Sequence, residues 1–265
     1  MIHSSYSKAE IAKLLGIGLI AFLILGFGKI EKAIPISNAL NFPADRKLTI
    51  VCLGAHPGDP EFGCGGTMAK FSESGHRVIF LYLTRGEAYD PKKTFEESAA
   101  IRTKEAERAC GILHAEPKYV GQIDGHTILN NEKTEEMGKL LASIRPDIVF
   151  TQWPVDTHPD HQTAGLLVLN SWEKTGKPFE LYFYEVNTGS ETLSFVPTDY
   201  IDISSWREKK KSALMAHKSQ DPDGTYLKWF KPMEEFRGLE CGANAAEAFI
   251  HFKKDEDKKV LNKMQ

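Results

Sequence analysis

The chain has 265 residues, is 42% hydrophobic and 26% charged, and carries a net charge of −3 at pH 7. That size and balance fit one globular domain plus an extension, with enough chain to bury a full core. With acids and bases interspersed and a pI near 6.3, no basic field exists to attract a phosphate backbone, so nucleic acid is not an expected partner.

The chain opens on an uncharged apolar run, Leu14 to Gly28, preceded by Lys8 and Lys13 and followed by Lys29. Its length of about 15 residues matches the apolar stretch of an export signal and falls short of the ~20 that a membrane span needs. The expectation is a signal peptide or membrane anchor over residues 1–30 and a linker over 31–45, where Pro35 and Pro43 fall. The protein is then exported, periplasmic or extracellular, and touches a membrane only through its N-terminal segment.

Residues 46–255 read as one α/β domain and 256–265 as a charged tail. Leu48 to Leu53 is a short, continuous apolar run, which predicts a strand buried on both faces of a parallel sheet. A constrained, glycine-rich loop follows, from Ala55-His56-Pro57-Gly58-Asp59-Pro60-Glu61 through Gly66, with a helix expected from Gly66-Thr67 to Ser74. Arg77 to Thr84 is a second buried strand ending in Arg85-Gly86-Glu87. Phe95 to Leu113 has helical spacing, Tyr119 to Gly121 is a weak strand leading to Asp124-Gly125, and Thr134 to Ile144 is a helix.

Asp147 to Thr151 is another buried strand. It runs into Trp153-Pro154-Val155-Asp156-Thr157-His158-Pro159-Asp160-His161, and a helix is expected from Gln162 to Trp172. Leu181 to Val186 and Tyr200 to Ile203 complete the sheet, and Ser205 to His217 and Ala243 to Phe252 are expected as late helices. This alternation predicts an α/β fold, a Rossmann-like, mostly parallel sheet with helices on both faces. Cys52, Cys64, Cys110 and Cys241 form no C-x-x-C pair, which argues against a zinc knuckle or a disulfide framework.

Two loops at strand carboxyl ends therefore bring together His56, Asp59 and Glu61 on one side and Asp156, His158, Asp160 and His161 on the other. Open α/β sheets bind ligands outside those ends. Imidazole with carboxylate suits zinc, and three protein ligands leave a fourth position for water. Zinc-bound water ionises near neutrality and supplies a hydroxide able to attack an amide carbonyl. Taken singly, each loop also has a plainer reading, an Asx turn at Asp59 or a helix cap at Asp160.

The ordered set Ala55-His56-Pro57-x-Asp59, Phe62-Gly63-Cys64-Gly65-Gly66-Thr67, Thr84-Arg85-Gly86-Glu87 and His158-Pro159-Asp160-His161 resembles the PIG-L/LmbE family of zinc-dependent N-deacetylases. The likeness runs from about Lys47 to His217, and Ala216-His217-Lys218-Ser219-Gln220 is similar to the family's late segment. It implies removal of acetyl from an N-acetylated sugar or glycoconjugate, with one zinc ion held by His56, Asp59 and His161. It also implies His158 as the imidazole that stabilises the oxyanion or protonates the leaving amine, with Asp160 orienting it.

One position departs from the family pattern. The resemblance implies a general-base Asp at residue 58, where this chain has Gly58. Glu61 is the first expected replacement, with Asp156 or Asp160 second. A rival expectation is a metal-containing glycan-binding protein that has lost turnover through Gly58. Arg85, Glu87 and Trp153 are expected substrate contacts, with a structural ion pair or a core position as the plainer readings; Tyr182 and His217 carry the same ambiguity.

Overall fold

The computed structural model describes residues 46–253. The expected export signal or anchor, the linker and the charged tail lie outside the described residues. Among those residues no helix is long and apolar enough to cross a membrane.

Seven strands form one sheet: β1 (Thr49–Gly54), β2 (Arg77–Tyr82), β3 (Glu116–Tyr119), β4 (Ile148–Gln152), β5 (Glu180–Tyr184), β6 (Asp199–Asp202) and β7 (Ala246–Phe252). Their order is β3-β2-β1-β4-β5-β7-β6. Pairing from β3 across to β5 is parallel, and β7 runs antiparallel to both of its neighbours. The chain leaves β1 toward one edge and later restarts at β4 toward the other. The strand order thus reverses between β1 and β4, where such sheets open a crevice for ligands.

The helices are α1 (Asp59–Glu73), α2 (Phe95–Leu113), α3 (Asn131–Ile144), α4 (Pro159–Lys174), α5 (Arg207–Leu214), the short α6 (Pro222–Thr225) and α7 (Lys231–Cys241). Continuous apolar strands become a two-sided core. Ile50, Cys52, Phe80, Phe150 and Tyr182 pack with Met68, Ala106 and Leu214 on one face. Val51, Leu53, Ile79, Leu81 and Phe183 pack with Leu141, Leu167 and Trp172 on the other. Successive strand residues alternate between the two faces, as the pleat requires. All four cysteines are free thiols.

β3 lies earlier than the expected Tyr119 to Gly121, α4 starts at Pro159 and not at Gln162, α7 falls in a stretch given no element, and two further differences bear on the site. Ala243 to Phe252 reads as a helix because alanine favours helices, yet residues 246–252 form β7. Propensity is a weak prior, and the seven-residue alternation fits the slot between β5 and β6, where a strand satisfies both neighbours' backbone groups. The second difference is α1, which starts at Asp59 and not at Gly66-Thr67. Pro60 sits in its first turn, where no amide donor is missed. Glu61 Oε2 accepts the Gly58 amide at 3.1 Å, a reciprocal link typical of helix starts.

The glycines inside α1 are there for close approach. A Cβ at Gly63 would lie 2.2 Å from Tyr184 Cδ2, and one at Gly66 2.7 Å from Ile203 Cβ. The Gly66 and Thr67 amides donate to the Glu247 carboxylate of β7 at 2.9 and 2.7 Å. Buried Lys210 holds that same carboxylate at 2.7 Å and Glu234 at 3.1 Å. Helix α1 is thereby pressed onto the sheet with its first turn at the crevice. Gly63→Ala is expected to lower the unfolding free energy by about 1–3 kcal/mol through overpacking, read as a lower urea midpoint; an unchanged midpoint contradicts this packing.

Candidate metal centre

The floor of the crevice is built around the Asp59 carboxylate. Asp59 opens α1, and its Oδ2 accepts the His56 amide at 2.8 Å and lies 3.2 Å from His56 Nδ1. From the other side of the switch point, Gln152 Nε2 donates to Oδ2 at 3.2 Å and His161 Nε2 lies at 3.4 Å. Gln152, the last residue of β4, also accepts the Ala55 amide at 2.8 Å. It ties the two ligand loops together, and nothing in its sequence setting marks it for that role.

One donor atom from each of His56, Asp59 and His161 lies within 4.8 Å of the others. The far nitrogen of each imidazole faces a carboxylate. His56 Nε2 is 3.2 Å from both Asp124 Oδ1 and Asp160 Oδ2, and His161 Nδ1 is 3.2 Å from Asp156 Oδ1. Such carboxylates fix the tautomer and aim the other nitrogen at a metal. Two imidazoles and one carboxylate, converging and backed in this way, fit a tetrahedral divalent ion with one open position.

His56, His158 and Asp160 form a second close group. The Asp160 carboxylate is already engaged, however, by the Gly125 amide at 2.7 Å and Thr127 Oγ1 at 2.6 Å. The first group therefore has the better claim. Charge balance in it is tight. Burial opposes ionisation of Asp59, yet His161 and His56 outweigh it and hold the carboxyl well below the usual range. Burial likewise opposes a charged His56, yet Asp59, Asp124 and Asp160 raise its affinity for a cation, here a proton.

His158 caps α4, its Nδ1 accepting the Asp160 amide at 3.2 Å. Asp160 therefore touches His158 through its backbone, and its side chain serves His56 instead. With Nδ1 accepting, the neutral His158 ring carries its proton on Nε2. Burial, reinforced by the neighbouring His56 and His161, lowers its pKa. The ring is stacked 4.7 Å from that of His161 and borders a cavity of about 380 Å³ shared with His56, Asp59 and His161.

Glu61, expected as the replacement base, is not in that cavity wall. It is fully buried behind the loop, where Tyr82 Oη donates to Oε1 at 2.7 Å and His217 Nε2 lies 3.0 Å from the same atom. Every partner of Glu61 is structural, so it braces the Gly58 turn.

The expected substrate contacts also fall outside the wall. The Arg85 guanidinium bonds Thr103, and the buried Glu87 accepts the Arg85 and Asp124 amides. Trp153 packs its indole edge-on to Phe183 and Phe195 and donates to Leu193 O at 3.2 Å.

The wall is made instead by residues that sequence spacing did not single out, among them Tyr89, Arg102, Asp124, Asn187 and Glu191. Arg102 reaches from α2 to donate to Pro57 O and so holds the His56–Asp59 loop. Asp124 had one visible signal, an Asp-Gly pair just past a strand. Arg102 and Glu191 had none.

The GlcNAc-PI de-N-acetylase (PIG-L) family model matches residues 51–172, a span that contains both ligand loops. The diacetylchitobiose deacetylase of Thermococcus kodakarensis is 30% identical over 206 residues, covering 72% of this chain and 76% of that protein. The chain belongs to the PIG-L family. The N,N'-diacetylchitobiose deacetylase of Pyrococcus horikoshii, solved with an inhibitor, superposes with a TM-score of 0.69 at 25% identity, covering 95% of each chain. The conserved protein TT1542 of Thermus thermophilus gives 0.67 at 29% identity, covering 80% of this chain and all of that one.

In this PIG-L chain, His161→Ala should abolish high-affinity binding of a divalent ion. Asp156→Asn, which leaves all three ligands in place, should weaken metal affinity by about 10- to 100-fold. Competition with a chromogenic chelator measures both. Wild-type affinity in Asp156→Asn would remove Asp156 from the site.

Proposed function

We propose that the protein is a zinc-dependent hydrolase that removes the acetyl group from an N-acetylated sugar or glycoconjugate, cleaving a linear amide. The observation that carries this reading is the convergence of His56, Asp59 and His161 on the floor of the cavity, in a chain of the PIG-L family. Relatives named as deacetylases of diacetylchitobiose and of an acetamido-deoxyglucopyranosyl inositol support the substrate class. A cavity of about 380 Å³ falls within the usual size of small-molecule sites, about 300–1,000 Å³.

A zinc ion held by these three side chains supplies Lewis acidity toward an amide carbonyl and makes water acidic enough to attack at neutral pH. The rest of the chemistry belongs to the chain. His158, neutral and protonated on Nε2, offers a hydrogen-bond donor at the cavity wall for the charge that develops on the acetyl oxygen. Asp124, Asp160 and Asp156 keep the two imidazoles aimed. Arg102 and Gln152 hold the two loops against each other while bonds change.

Acetate release is the direct test, with N,N'-diacetylchitobiose, N-acetylglucosamine and glycolipid-type N-acetylglucosaminides as substrates. Stripping the metal with a chelator should reduce turnover by about 100-fold or more, and one equivalent of zinc should restore it. Full turnover in verified metal-free protein, or no acetate from any substrate at full zinc loading, contradicts the proposal.

A further inference from the structure

Residue 58 cannot carry the proton acceptor in this chain. Gly58 sits at φ 108°, a conformation that side chains rarely adopt, and an added Cβ would lie 3.2 Å from Phe62 Cε2. The backbone here is set for glycine, so the missing carboxylate was not simply trimmed from an otherwise suitable position. Glu61 and His217, the nearest titratable groups behind the loop, are sealed from the cavity and bonded to each other.

Three carboxylates line the cavity among the described residues: Asp59, Asp124 and Glu191. Asp59 is in the ligand set. Asp124 lies 3.2 Å from His56 Nε2 through one oxygen and accepts the Ala88 amide at 3.1 Å through the other. Glu191 has no ligand to orient.

The loop that bears Glu191 is stitched to the segment that leads into α4, which carries His158 at its cap and His161 in its first turn. Thr157 N–H donates to Glu191 O at 3.0 Å, and Leu193 N–H donates to Val155 O at 2.9 Å. Between them, Thr192 Oγ1 donates to Asp156 Oδ2 at 2.9 Å, and Asp156 Oδ1 lies at His161 Nδ1. Trp153, through its bond to Leu193 O, clamps the same strip. The backbone at Glu191 is therefore fixed relative to His158 and His161 by bonds at residues 191, 192 and 193.

From this placement we infer that Glu191 is the catalytic proton acceptor that stands in for the side chain absent at residue 58. The inference rests on the deacetylase reading. As the water oxygen bonds to the acetyl carbon, the Glu191 carboxylate takes one water proton. As the C–N bond breaks, it passes that proton to the departing nitrogen, giving a free amine and acetic acid and restoring the carboxylate. Burial raises the pKa of Glu191 above the ordinary glutamate value, with His161 partly offsetting it. That shift brings a carboxylate closer to the working range of a general base.

Glu191→Gln and Glu191→Asp, each loaded with zinc, test the inference with two readouts. In Glu191→Gln, kcat should fall by about 10²- to 10⁴-fold with KM little changed and zinc content equal to wild type; Glu191→Asp, which keeps a carboxylate, should recover part of the loss. The second readout is acetate binding by calorimetry. Removing a negative charge that faces the anion should tighten acetate at least about threefold in Glu191→Gln.

Turnover within about threefold of wild type in Glu191→Gln, or unchanged acetate affinity, overturns the inference. A zinc-loaded wild type that releases no acetate from any N-acetyl sugar contradicts the deacetylase reading instead. The acetate-binding comparison then still decides whether Glu191 faces the reacting position.

Discussion

The Asp59 carboxylate is the constraint on which the rest of the site depends. A single oxygen of it gathers the His56 amide, His56 Nδ1, Gln152 Nε2 and His161 Nε2. Those groups come from the end of β4, the turn after β1 and the first turn of α4, on the two sides of the point where the sheet reverses its order. A buried carboxylate is costly unless charges and donors surround it, and here they do so from both sides of the crevice. The same crowding keeps the carboxylate ionised between two imidazoles, a donor set that a divalent ion fits.

Asp59 can occupy that position only because α1 lies close against the sheet. Gly63 and Gly66 let the helix approach Tyr184 and Ile203, and Glu247 takes up two amides in the middle of the helix. Lys210, buried between Glu247 and Glu234, neutralises that arrangement. A buried charge network of this kind tolerates the loss of one partner poorly. The glycines that read as a loop are thus the packing surface of a helix, and they set the height of the first ligand turn.

The strand ends and the cluster of imidazoles and carboxylates beyond them were legible in the sequence because both signals are local. A continuous apolar run marks a doubly covered strand, and a His-Pro or Asp-His pair directly after it stands at the sheet's carboxyl edge. What could not be read is the wall of the cavity. Arg102 comes from the middle of α2 and Glu191 from an irregular loop, and only tertiary packing brings them beside His56 and His161. Glu61 reads as a reacting group because it stands two residues from Asp59; as the third residue of α1 it points back to its own helix start, toward Tyr82 and His217. β7 was missed for a related reason: an alanine-rich segment becomes a strand when a slot between two others is waiting for it.

The central claim is that two imidazoles and the Asp59 carboxylate hold a divalent ion. Zinc K-edge X-ray absorption on the loaded protein tests it most directly. The account predicts a shell of nitrogen and oxygen at about 2.0–2.1 Å with the multiple scattering of two imidazoles and no sulfur. A sulfur shell at about 2.3 Å, which would bring in a cysteine, or a spectrum lacking imidazole scattering, would contradict it.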